Sequence, residues 1–340
     1  MEIKEIADKN IWETFIKTNS PQSLFQSWNW GEVVKKSQSV KIQTQNLWRL
    51  GIYDKEHLIG IAQVNKVVAK RGNFFHVRHG PIFKSWHKKY FKYFLEYLNN
   101  LSREEKAILI RISPLIDDTL GNQNTIKTYR FINAPIHAMD GEYCWIINLR
   151  QSEEAILASM RKTTRYLIKQ AQKLGVEIVK SKNKNDLEEF LLLYRQTAMR
   201  QNFIAHKGIM EEFEQFLQDD QILLFKGYYQ KKLISSALII FYNNQAIYHH
   251  SASIEQKIPV NYLLQWEVIK EAKNRKMDYY NMWGVAPVNK IHHPWRGLTI
   301  FKQGFGGEIK EYLHAQDLPV SYLYYATYVW EWIRKIKRGY

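Results

Sequence analysis

Cysteine is almost absent. Cys144 is the only one in 340 residues, so no disulfide can form within the chain, and a thiolate metal centre lacks its ligands. No stretch approaches the roughly 20 apolar residues of a membrane-spanning helix. The opening residues, MEIKEIADKNIWETF, lack the basic and then apolar segments of a signal peptide. A soluble, cytoplasmic protein is expected. Low-complexity linkers are also lacking, and 45% apolar with 24% charged residues excludes wholesale disorder. Acid is in deficit: 33 Asp+Glu against 49 Lys+Arg leaves a formal charge of +16. An excess of that size points to polyanionic partners such as nucleic acid, nucleotide phosphates or an anionic membrane face.

Most signatures of catalysis are missing too. There is no GxxxxGK[ST] phosphate loop, no HExxH, no GxSxG nucleophile elbow and no CxxC pair. His249–His250 and His292–His293 resemble metal ligands, but adjacent side chains on a regular strand point to opposite faces, so neither pair chelates from one. No metal and no cofactor are expected.

What the chain does contain is a repeated grammar. Helical spacing covers Asn10–Lys17 and Trp28–Ser37. Trp48–Tyr53 and Leu58–Val68 then read as a hairpin around DKEH, and Phe74–Arg78 as a further strand. His87–Leu101 follows as a helix, and Ala107–Ile112 as a strand ending at Pro114. The second half repeats the order: helices over Asp186–Gln201 and Ile209–Leu217, a hairpin of Leu223–Tyr229 and Leu233–Tyr242, and a strand at Ala246–Ala252. A helix over Tyr262–Arg275 and a strand at Tyr279–Val285 complete it. GIYDKEHLIGIAQV beside GYYQKKLISSALII, and RISP beside GVAP, argue for a duplicated unit of sheet and helices. The expected architecture is α+β, two tandem domains like the N-acetyltransferase fold, at residues 1–147 and 148–340. The basic glycine-rich turn that would hold an acetyl-CoA pyrophosphate is replaced in the second unit by IPVNY, where Pro259 offers no amide donor.

Between the copies, SEEAILASMRKTTRYLIKQAQKLG reads as one helix from the capping Ser152 to Gly175. Lys162, Arg165 (or Tyr166), Lys169 and Lys173 recur at helical spacing on it. The stripe suits either a solvated face or contact with nucleic acid. Near the end, YLYYATYVWEWIRKIKRGY sets aromatics at helical spacing before Arg334, Lys335, Lys337 and Arg338. That helix either packs on the body or rests on a membrane surface. Just before it, FKQGFGG puts Lys302 at the end of an apolar run and three glycines within Gly304–Gly307. This reads as a strand, a bulge and a turn, with backbone left bare for a bulky anionic ligand.

Seven segments in order give the chain a family likeness: FQSWNWGEVVKK, RHGPIF, SMRKTTRYLIKQAQKLGVEI, YRQTAMRQNF, YHHSASIEQKIPVNYLLQWEVIKEAK, YYNMWGVAP and FKQGFGG. The chain resembles the Fem family (FemA, FemB, FemX) of peptidoglycan aminoacyltransferases, in the compact FemX-like form without a coiled-coil arm. The resemblance implies transfer of an amino acid from aminoacyl-tRNA to the stem peptide of UDP-MurNAc-pentapeptide or lipid II. It further implies a monomer without cofactor. Lys36, with Lys35 as competitor, and Arg200 match phosphate-holding residues. Tyr248 matches a substrate-contacting aromatic, and Trp30 of the WG pair joins the substrate set. Ser113 stands where family members often carry aspartate before the proline. Phe301 and Lys302 match the pair implicated in transfer, and the basic stripe is the candidate tRNA contact.

The chemistry suits that reading. Aminoacyl-tRNA is an activated ester, so positioning and a fixed cation such as Lys302 can carry much of the work; no general base stands out. A Fem-like acyltransferase with another donor or a non-cell-wall acceptor, and a non-catalytic nucleic-acid-binding protein, remain as alternatives.

Overall fold

The repeat is real. In the computed structural model, which describes residues 1–38, 46–288, 290 and 292–340, the chain forms two compact units. The first comprises Met1–Tyr143, Ala286–Pro294 and Glu311–Tyr340; the second comprises Cys144–Val285 and Trp295–Lys310. A single cut after residue 147 therefore misplaces the C-terminal segment, which returns to the first unit and supplies it with a strand.

In the first unit the strands lie in the order Glu2–Glu5, Leu47–Asp54, His57–Val67, Asn73–Arg78, Ala107–Ser113, Gln316–Pro319 and Ile132–Asn133. The hairpin is antiparallel, and Asn73–Arg78 runs parallel to Ala107–Ser113. A parallel pair needs a crossover, and the helix Lys88–Glu104 provides it. That helix buries Phe91, Phe94, Leu95 and Leu98 against Leu50, Val64, Phe75 and Ile110 of the sheet.

The second sheet follows the same plan: Glu308–Glu311, Tyr143–Asn148, Tyr279–Gly284, Gln245–Ser253, Lys232–Tyr242, Ile222–Tyr229 and Glu177–Ser181. Gln245–Ser253 and Tyr279–Gly284 are the parallel pair, crossed by Val260–Asn274, whose Leu263, Leu264, Val268 and Ile269 fill the core. Gln230 and Lys231, both at positive φ, make the hairpin turn. The strand that closes each parallel pair, Gln316–Pro319 in one unit and Tyr143–Asn148 in the other, comes from outside the repeated segment.

The helix expected over 152–175 is two helices, Glu153–Ser159 and Lys162–Lys173. Met160 is extended, with ψ 151°, and the Arg161 amide donates to the carbonyl of Gly304 instead of continuing the first helix. Arg165 turns back and donates to the carbonyl of Ala158 at 3.0 Å and to that of Met160. These are the orphaned acceptors of the first helix's end.

The C-terminal helix, Tyr324–Lys337, does pack on the first unit. Tyr324 and Thr327 are buried, and the Tyr324 hydroxyl donates to Asp317 at 3.0 Å. Its other side, however, leaves Tyr325, Val329, Trp332 and Ile336 exposed by 57, 52, 51 and 54%. Among the described residues no helix is long and apolar enough to cross a membrane.

Candidate active site

The segment after Trp295 is helical rather than extended. Arg296–Gln303 forms two turns in which Thr299 and Lys302, three residues apart, face inward, while Leu298 and Ile300 face out. The apolar run LTIF thus misleads, because its buried positions are the polar ones. Phe301 is half-buried and packs edge-on against Tyr262 and Phe305, both with ring centroids 5.2 Å away.

Lys302 is 3% exposed, and its Nζ donates to the carbonyl of Gly284 at 2.6 Å. Burial pushes its amine down to about 7, with Cys144 opposing weakly. The expected anionic partner is therefore a carbonyl dipole at the end of strand Tyr279–Gly284. The strand is irregular there: Trp283 adopts φ +65°, and pairing with Tyr143–Asn148 shifts between Asn281 and Gly284. A side chain on Gly284 would come within 3.1 Å of the Trp295 ring, so the backbone is held closely from both sides.

The glycines after Lys302 do not lie bare for a ligand. A Cβ on Gly304 would fall 2.6 Å from the Thr164 hydroxyl, and one on Gly306 2.4 Å from that of Ser159. Gly307, at φ +87°, would meet the Ile146 carbonyl at 2.3 Å. They let the chain cross its own helices and sheet edge, and the Gly306 carbonyl accepts from the Trp145 indole at 2.6 Å.

Tyr248, expected to touch substrate, is partly buried against the second core, where Ser251 and Gln265 hydrogen-bond its hydroxyl and burial raises its pKa. Arg200 is exposed at the end of helix Lys184–Arg200 and donates to the carbonyl of Ser253 at 2.7 Å. Of the basic stripe, Lys162, Lys169 and Lys173 are exposed beside Tyr166, while Arg165 is committed to the helix end described above.

In the first unit Lys35 and Lys36 are exposed in the last turn of Trp28–Gln38, where a helix favours cations, and Lys35 pairs with Glu32 at 3.1 Å. Trp30 is half-buried against Phe25, whose ring carries the Arg78 guanidinium at 3.4 Å. Arg78 also donates to Asp140 at 2.7 Å, and Ser113, 1% exposed, donates to the other oxygen of the same carboxylate at 2.7 Å. So Trp30 and Ser113 meet at one buried cluster, and Ser113 faces Asp140 rather than open space. Burial alone would raise the Asp140 carboxyl, but Arg78 and His76 hold it well below the usual range. Sequence reading missed Asp140 because it lies 27 positions after Ser113 in a stretch without a motif.

A cavity of about 230 Å³ adjoins this cluster at His76 and is also lined by Arg111, His137, Glu331, Arg334, Lys335 and Arg338. Burial and then Arg338 and Arg334 press His137 down to about 4, so this wall favours an anion.

Comparison with known proteins fits this geometry. The profile described as the FemAB family matches residues 8–134, 136–218 and 210–330. A 68-residue segment is 35% identical to the aminoacyltransferase FemA of Staphylococcus aureus (strain MW2), covering 20% of this chain and only 16% of that protein. Among solved structures, the crystal structure of FemX superposes with TM-score 0.81 at 15% identity over 96% of this chain and 99% of that one. A tandem GNAT protein from the clavulanic acid biosynthesis pathway superposes with TM-score 0.57 at 9% identity, covering 94% and 98%. Likenesses at such identity speak for the fold: two tandem acetyltransferase-like units.

Proposed function

Because the chain belongs to the FemAB family, we propose that it is an aminoacyltransferase of peptidoglycan bridge synthesis. It moves an amino acid from aminoacyl-tRNA to an amine of a precursor's stem peptide. The observation that carries the reading is Lys302, a buried amine with pKa about 7 held on the Gly284 carbonyl. Aminolysis of an ester requires one proton to leave the attacking nitrogen and one to reach the departing ribose oxygen. A lysine tuned to neutrality holds both forms at working pH, so it takes the first proton and returns the second. Its ammonium form also opposes charge developing on the carbonyl oxygen. This gives the acid–base role that no carboxylate of the sequence suggested. Phe301 is its neighbour in the chain, and the exposed Lys36 and Arg200 are the residues we assign to phosphates in their respective units.

The donor end is assigned to the Lys162–Lys169–Lys173 face, which has Tyr166, 62% exposed, among its cations. Each phosphate contact should contribute about 0.7 to 0.9 to the log–log salt slope of tRNA binding. Incubating the protein with charged tRNA and each precursor should add the mass of one or more amino acids to the precursor. In Lys162→Glu/Lys169→Glu/Lys173→Glu the same assay should need far more tRNA at low salt, with an undiminished precursor affinity. Equal tRNA affinity in the triple variant would make the stripe a solvated face.

For the acceptor, the C-terminal helix favours the lipid-linked precursor over the soluble one. Tyr325, Val329, Trp332 and Ile336 recur at helical spacing on its exposed side, with Lys335 and Lys337 to either side of that stripe in the last turn, while Arg334 and Arg338 turn toward the cavity. An apolar stripe flanked by cations fits an anionic bilayer surface, where each cation adds about 1 kcal/mol. The protein should sediment with phosphatidylglycerol vesicles at low salt and not with phosphatidylcholine ones. Trp332→Glu/Ile336→Glu should weaken this about tenfold or more. Failure of the parent chain to sediment would return the acceptor to the soluble precursor.

A further inference from the structure

Strand Gln245–Ser253 contains an extra residue. His250 lies opposite Leu238 and Tyr248 opposite Ile239, so His249 is the residue of a bulge. On a regular strand His249 and His250 would diverge, and the expectation that they cannot chelate rests on that regularity. A bulge re-aims one side chain. Here it brings both imidazoles, with ring centroids 4.1 Å apart, to a single carboxylate on helix Ile209–Leu217. His250 Nε2 lies 2.8 Å and His249 Nε2 3.1 Å from the same oxygen, Glu212 Oε2.

All three side chains are almost wholly buried, at 6, 6 and 7% exposure. Glu212 occupies the inward face of its helix among Ile209, Phe213 and Phe216, a place where an apolar residue would ordinarily sit. A carboxylate that needed only hydrogen bonds could divide two donors between its two oxygens. Here two imidazole nitrogens and one carboxylate oxygen instead converge, all within 4.8 Å of one another, close enough to be shared by a single ion. Around an ion at roughly 2.0–2.2 Å, tetrahedral ligand atoms stand about 3.3 Å apart, near the two His–Glu212 separations of 3.1 and 2.8 Å.

We propose that Glu212, His249 and His250 form a site for one zinc(II) or similar divalent transition-metal ion, tying helix Ile209–Leu217 to strand Gln245–Ser253. Two imidazoles and a carboxylate leave a fourth position open. His206, exposed and with its ring centroid 5.4 Å from that of His250, stands at its mouth, and Trp283 lies edge-on to His249 at 6.0 Å.

The test uses the full-length protein freed of metal by chelator and gel filtration. Titration with cobalt(II) should raise the visible absorption bands of a four-coordinate ion, saturating at one equivalent per chain, and zinc(II) should abolish them. Glu212→Gln and His250→Ala, checked for folding by circular dichroism, should weaken zinc binding by on the order of a hundredfold or more. His249→Gln serves where either fails to fold, and His292→Ala, an exposed histidine outside the site, should bind like the parent. No saturable cobalt spectrum, or equal zinc affinity in Glu212→Gln and His249→Gln, would overturn the assignment.

Discussion

Lys302→Ala is expected to slow aminoacyl transfer by about a hundredfold or more, the scale of losing one donor to a developing oxyanion, with tRNA and precursor still binding. Lys302→Arg should rescue poorly, because a guanidinium stays charged and cannot return a proton at neutral pH. The parent's rate should depend on pH through about 7, and that dependence should vanish from the residual rate of the alanine variant. A Lys302→Ala enzyme of near-normal turnover would reduce the lysine to a prop for Gly284.

The same residue makes a stability prediction of definite sign. In the unfolded chain its amine titrates near 10.5, and in the folded one near 7. Between those values the unfolded state holds the extra proton, so stability rises with pH across the window. Below about 7 both states are charged, and burying the ammonium costs up to about 5 kcal/mol. Lys302→Met should therefore gain stability relative to the parent at pH 6 and lose that advantage as pH approaches 10. Chemical denaturation at both pH values measures it, and a pH-independent difference would contradict the buried charge.

Arg111→Met should be the most damaging single change to the first unit. Arg111, on strand Ala107–Ser113, donates to Asp317 through Nε at 2.6 Å and through an Nη at 2.7 Å, and to Glu331 at 2.8 Å. The arginine side chain is 4% exposed and that of Asp317 wholly buried. Removing the cation strands a carboxylate in the interior, with an expected loss of about 3–5 kcal/mol. The midpoint of thermal unfolding of that unit should fall by about 10 °C. Arg111→Met/Asp317→Leu should recover part of the loss, since the penalty comes from the unpaired charge rather than from the missing bond. An additive double variant would show that the two residues do not act as a pair.

The fold was legible because both periodicities were strong. The hairpins, the further strands and the helices between them lie within a few residues of where alternation and helical spacing put them, and the duplication is visible in matching segments; which strands pair in parallel is not written in the spacing. What misled were places where tertiary contacts override local pattern. LTIFK looks extended, yet folds as a helix whose inward residues are Thr299 and Lys302. The joint helix breaks because Gly304 takes the Arg161 amide. Ser113 acquires meaning only beside Asp140, and the two histidines only through a bulge that no spacing announces. One trace of the latter was readable: in IMEEFEQF an acid, Glu212, occupies the apolar face of a helix.

The partnership of Arg111 with Asp317 has a consequence for how the protein is made. The two residues are 206 positions apart, and the strand carrying Asp317 is the one that lies against Ala107–Ser113. At a synthesis rate of about 5–20 residues per second, the ribosome needs roughly 10–40 s to deliver the later strand after the earlier one. During that interval Ala107–Ser113 is an open edge with unpaired amides and carbonyls, and Arg111 has neither of its carboxylates. Both segments of the second unit, Cys144–Val285 and Trp295–Lys310, emerge in the meantime. The N-terminal unit, first to be translated, is thus the later of the two to finish folding, and its nascent state is the one that needs protection from aggregation.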